Sequence, residues 1–206
     1  MRTSFLALVL IFPLLSFAQV KIAVKGGYSY AFAKASYNAK QQKVEGKHGF
    51  NLGVLFKANF EAPLHFSPYI QFSSRGFIIK PDTGSIKKVE NSIQYIDIVP
   101  ALSVDFPKGN GSFVISGGPV LGITNFGKEK TTDKNNVTQS SSMSFGYGGY
   151  GWFDLGIAGS IGYHVKKIFV EANYQLGLTN INNLSEFDGR NIKNRAISLN
   201  IGYYLK

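Results

Sequence analysis

The residues of this 206-residue chain whose types could do chemistry are few: three histidines, His48, His65 and His164, and scattered serines and carboxylates. A metal site would need the histidines to converge with carboxylates at ligand distance. An acyl-transfer site would need serine, histidine and carboxylate in hydrogen-bond series, for which His48, Ser92 and Asp154 are the candidates. Spacing specifies neither arrangement, and no nucleophile motif surrounds Ser92. The expectation is isolated histidines at an interface. The run Phe145-Gly146-Tyr147-Gly148-Gly149-Tyr150-Gly151 has the composition of a phosphate-binding loop. It precedes a strand pattern and no helix, which removes the nucleotide reading. Cysteine is absent, so thiolate metal sites, thiol nucleophiles and disulfides are excluded together. No enzyme activity, metal or cofactor is expected. What remains is a set of charged residues embedded in otherwise apolar segments: Lys25, Lys57, Arg75, Asp97, Asp154 and Glu171.

These charges fall on one parity of alternating segments. Ile22, Val24, Tyr28, Tyr30 and Phe32 share one parity, while Lys21, Ala23, Lys25 and Ser29 share the other. A period of two describes an extended strand with one apolar and one polar face. The pattern recurs near 20–33, 48–60, 64–79, 92–106, 112–126, 151–164, 168–179 and 194–205. The apolar parity, including Phe56, Ile96, Leu155, Val170 and Leu199, carries no charge. A charge facing lipid at mid-membrane costs about 2–4 kcal/mol. Eight such strands imply an all-β fold, an eight-stranded antiparallel up-and-down transmembrane β-barrel. A barrel of that size has room inside for side chains only. A lumen plugged by polar side chains is therefore expected, with Arg75, Asp97 and Asp154 in one ionic cluster and Lys25, Lys57 and Glu171 in a second. Pro68, Pro100 and Pro119 lack a ladder donor, so bulges or fraying are expected there.

Short connections at 61–63, 107–111 and 165–167 alternate with long polar gaps at 34–47, 80–91, 127–150 and 180–193. Outer-membrane barrels have short periplasmic turns and longer outside loops. Both termini are thus expected in the periplasm. The long gaps carry Lys34, Lys40, Lys43, Lys47, Lys80, Lys87, Lys88, Lys128, Lys130 and Lys134. Lipid phosphates of the outer membrane are natural partners for them, as are other envelope proteins met through the loops. Oligomeric state is left open.

Arg2, the apolar run 5–17 and Ser16-Phe17-Ala18 have the layout of a cleaved signal peptide over residues 1–18, leaving 19–206 as a single barrel domain. The formal charge of +10 would suit a nucleic-acid binder, but export makes an anionic membrane surface the better match and nucleic acid is not expected. Two alternatives are kept. One is an outer-membrane lipid hydrolase or acyltransferase barrel; the other is a soluble periplasmic lipocalin-like barrel, which would turn its apolar residues inward.

Several strands are also familiar as strings. Ser67-Pro68-Tyr69-Ile70-Gln71-Phe72-Ser73-Ser74-Arg75-Gly76, Tyr95-Ile96-Asp97-Ile98-Val99-Pro100 and Gly117-Gly118-Pro119-Val120-Leu121-Gly122 resemble strand motifs of the PorT-like outer membrane protein beta-barrel family. So do the run 153–163 and Tyr174-Gln175-Leu176-Gly177-Leu178-Thr179-Asn180-Ile181. The resemblance implies an eight-stranded, non-enzymatic barrel. A few members are linked to protein secretion, a role that barrel-building motifs do not carry over.

Overall fold

An extended chain that puts apolar groups on one face must hide that face and pair its edges, and closing the sheet does both. The computed structural model of the protein describes residues 20–81, 84–183 and 189–205; the expected signal segment lies outside them. Eight strands cross the barrel: β1 (Lys21–Tyr37), β2 (Lys43–Glu61), β3 (Leu64–Phe66 and Tyr69–Lys80), β4 (Ile86–Val99 and Leu102–Lys108), β5 (Gly111–Asp133), β6 (Phe153–Val165), β7 (Ile168–Gly177) and β8 (Arg190–Tyr204). Each pairs antiparallel with its neighbours, and β8 returns to β1 through Val24 opposite Tyr203 and Tyr28 opposite Leu199. The cylinder is closed.

The faces follow the parity. Phe50, Leu52, Ile161, Leu199 and Ile201 are each more than half exposed on the outside, whereas Lys25, Asn51, Asp97 and Glu171 are buried within. Moving an exposed Leu, Ile or Phe from water into hydrocarbon is worth about 1.5–3 kcal/mol. That gain goes to a barrel placed in a bilayer. A lipocalin-like interior would need the opposite arrangement.

Strand lengths depart from the sequence reading. β1 runs on to Tyr37 and β2 begins at Lys43, so most of the first polar gap is ladder and not loop. β5 continues to Asp133 and pairs with a returning segment, Thr138–Ser142. These extensions are polar on their outer face, which is why they look like loops in sequence although their backbones are paired.

Two of the three prolines interrupt strands. β3 breaks at Ser67-Pro68 and β4 at Pro100-Ala101, whereas Pro119 sits inside β5 opposite Ile157 of β6. The reason is positional. On its other side β5 pairs with β4 through Gly117–Leu102 and Leu121–Ile98, so Pro119 faces the break in β4, where no ladder donor is required. Ser67 N–H instead donates to Ala101 O at 2.8 Å, bridging the two breaks. The three prolines thus form one seam across β3, β4 and β5.

Candidate functional site

The inward parity places the six charged candidates inside the barrel, each 6% exposed or less. β3, β4 and β6 bring Arg75, Asp97 and Asp154 together. The Arg75 guanidinium contacts Asp97 directly and lies 3.3 Å from Asp154. Ser73 hydroxyl (2.8 Å) and the Gln71 amide (3.2 Å) donate to Asp97, and the Asn194 amide donates to Asp154 at 2.8 Å and to the Tyr95 hydroxyl at 3.0 Å. Arg75 also lies over the Tyr95 ring, 4.5 Å from its centre. Two carboxylates around one guanidinium need these neutral donors, because a buried charge without hydrogen bonds is costly.

Towards the short-turn end the charges divide into two pairs. Lys25 Nζ lies 3.3 Å from Glu171 and 3.7 Å from the centre of the Tyr69 ring. Lys57, expected beside them, instead holds Asp105 at 2.5 and 2.6 Å. Asp105 comes from the second segment of β4.

The histidines occupy three different settings. His48 is on the outer surface with its Nδ1 hydrogen-bonded to the Tyr28 hydroxyl. His65 bonds Asn59 at 3.0 Å and approaches Asp105 at 3.5 Å. His164 is not interfacial: it shares the inward parity of β6, stacks on Phe169 at 4.7 Å, bonds the Tyr204 hydroxyl at 3.0 Å and lies 3.6 Å from Glu171. Its even number, shared with Asp154 and Ser160, was the available signal. Ser92 accepts from Lys47 Nζ at 2.8 Å on the outer face, while Asp154 is inside, so His48, Ser92 and Asp154 do not converge. Among the described residues no three His, Asp or Glu side chains gather to hold a metal.

Polarity does not extend along the whole lumen. Beyond Arg75, towards the long-loop end, Phe77, Ile93, Ile181 and Ile192 are at most 1% exposed and pack with Ala33, Ala35, Tyr95 and Tyr150. The expected polar plug is therefore capped by an apolar layer at the long-loop end, and a second buried apolar group that includes Leu55, Val99, Val120 and Phe169 lies elsewhere in the lumen. Ile181 and Ile192 of the capping layer lie in the gap expected as loop at 180–193, while Phe77 and Ile93 fall near the ends of the expected strands 64–79 and 92–106, on the parity expected to be polar.

Above the apolar layer the barrel opens into a cup of about 730 Å³, lined by Ala35, Ile79, Ile86, Val89 and Ile192 and also by polar residues that include Lys40, Gln42 and Arg190. Asn91 of β4 stands directly opposite Glu129 of β5, and both face the cup. The Tyr150 hydroxyl donates towards Glu129 at 3.2 Å, with Asn91 Oδ1 at 3.5 Å. Glu129 faces inward because β5 carries one extra residue: Gln94 pairs with Phe126 but Tyr95 with Thr124. The bulge at position 125 reverses the parity of everything beyond it.

The same reversal turns Lys128 and Lys130 outward. They join Lys34, which stands opposite Lys193 on the β1–β8 seam. Lys130 stands directly opposite Glu90 on the β4–β5 ladder, whereas Lys34 and Lys193 face each other, and like charges directly opposite are unfavourable without a counterion. Lys47 and Lys88 are paired with Glu90, at 3.6 and 2.6 Å. The hydrogen bond from Lys88 holds the Glu90 carboxyl below the usual carboxylate range, against partial burial that opposes it.

No curated protein matches the chain. Among solved structures, Ail of Yersinia pestis, determined in complex with sucrose octasulfate, is 14% identical over 91% of this chain and 99% of that one, with a TM-score of 0.48. Neisserial surface protein A is 13% identical over 88% and 96%, TM-score 0.44. OprG of Pseudomonas aeruginosa is 13% identical over 90% and 95%, TM-score 0.40. The family described as outer membrane protein beta-barrel domain matches residues 17–183. With a closed eight-stranded barrel, an uncharged apolar belt and that match over most of its length, the chain belongs to the outer membrane protein beta-barrel domain family.

Proposed function

We propose that this outer-membrane barrel is a closed anchor without enzymatic activity, of the PorT-like branch, whose long-loop end is its contact surface. Residues 1–18 are removed on export, both termini face the periplasm, and the long loops and strand extensions point out of the cell. Outer-membrane lipids are its first partners. Lys34, Lys193, Lys128 and Lys130 lie on the outward parity of the strand extensions, beyond the apolar belt, which supports contact with lipid phosphates. Other envelope proteins meet it through the loops.

The observation that carries the reading is the stacking of buried groups along the lumen. Ion pairs at Lys57–Asp105, Lys25–Glu171 and Arg75–Asp97–Asp154 are followed by the apolar layer at Phe77 and Ile93. The void beside Lys25 and Glu171 measures about 10 Å³, room for one water at most. Such an interior supports anchoring and not conduction. The test is single-channel recording in planar bilayers with the purified, folded protein. No stepwise conductance is expected up to voltages that open small porins. Discrete, reproducible openings would contradict the proposal.

A further inference from the structure

The cup at the long-loop end has a chemistry that anchoring does not use. Its volume lies within the range of small-molecule sites, which combine apolar walls with a few placed polar groups. Here those groups are adjacent. Asn91 is 0% exposed and its side-chain nitrogen has no hydrogen-bond partner. A buried amide donor left unmade costs about 1–3 kcal/mol. Directly across the β4–β5 ladder stands the Glu129 carboxylate, an acceptor already engaged by the Tyr150 hydroxyl. A donor beside an acceptor, at the edge of a pocket walled by Ala35, Ile79, Val89 and Ile192, is the complement of one functional group.

We infer that the cup binds a small apolar molecule bearing a carboxamide. The ligand carbonyl accepts from Asn91, the ligand N–H donates to Glu129, and the hydrocarbon body fills the space between the aliphatic walls. A carboxylate of the same shape is disfavoured at this pair, because it brings a negative charge and no donor to Glu129. The cations that also line the cup, Lys40 and Arg190, lie on other strands than Asn91 and Glu129. Below the ligand the layer of Phe77, Ile93 and Tyr95 closes the lumen, so the site holds its ligand and does not pass it inward. This goes beyond the anchoring role, and its test is independent of which way the barrel faces.

The probe is adamantane-1-carboxamide, a rigid apolar body with one carboxamide, offered to the folded protein in nanodiscs and followed by saturation-transfer NMR. Adamantane-1-carboxylate and empty nanodiscs are the references. The carboxamide is expected to give saturable transfer well above empty nanodiscs and to bind at least about tenfold more tightly than the carboxylate, the ratio one charge-assisted hydrogen bond supplies. Asn91→Leu is expected to weaken it by about tenfold, and Ala35→Phe, which fills the cup, to abolish it. Folding of each variant is checked by its heat-dependent electrophoretic mobility. Transfer equal to that of empty nanodiscs, carboxylate binding as tight as the carboxamide, or undiminished binding by either folded variant overturns the inference. The comparison of the two probes on the unmodified protein stands even where a variant does not fold.

Discussion

Arg75 shows how much one side chain has to satisfy in this interior. It faces two carboxylates, to which Ser73, Gln71, Asn194 and Thr179 also donate hydrogen bonds. Replacing Arg75 with methionine keeps its length and removes its charge. Asp97 and Asp154 are then left buried without a cation, which costs about 3–5 kcal/mol. Urea unfolding of the protein in lipid bilayers should show that loss. Replacing all three residues by apolar side chains of similar volume should cost less than the single change, because no uncompensated charge remains. That these residues point inward was legible from parity. Their partners were not: nothing in sequence joins Lys57 to Asp105, or His164 to Glu171, residues whose separation depends on how strands stagger around the cylinder.

At the level of strands, alternation located all eight crossings, and each short turn fell where the polar gap is briefest. The extensions were missed for a physical reason. Above the lipid, a strand needs no apolar face, so its alternation fades while its backbone remains paired. Glycines show the converse, where local sequence conceals a close approach. Gly202 of β8 lies beneath the Phe169 ring of β7, and a Cβ there would fall within the ring. Gly202→Leu should displace Phe169 from its stack with His164 and Tyr204, costing about 1–3 kcal/mol. Gly159, by contrast, would place a Cβ 3.8 Å from its nearest neighbour, Ser116 O. Gly159→Ala should stay within about 0.5 kcal/mol. Paired thermal unfolding in one detergent separates the two cases. The proline seam belongs to this scale as well: Pro119 keeps its place in β5 only because β4 is broken opposite it.

The whole molecule combines an apolar belt, a layered interior and two unlike ends. One end has tight turns and both described chain termini; the other has strand extensions rising to exposed turns such as the one around Lys134. With the extensions outside the cell, trypsin added to intact cells should cut after Lys134 and spare Lys166 and Lys167 in the β6–β7 turn. Mass spectrometry of the fragments reads the outcome, and the reverse pattern would invert the proposed orientation. By itself the sequence determined which side of each strand meets lipid, because alternation of side chains is a property of every extended chain and needs no distant contact. It also determined that the barrel has eight crossings, since each crossing carries its own run of alternation. The tertiary structure alone decided who meets whom inside and where the interior changes from charged to apolar. It also decided that one extra residue at position 125 turns Glu129 towards Asn91. Those outcomes depend on register and closure, which are fixed by pairing between strands distant in sequence and leave no local trace.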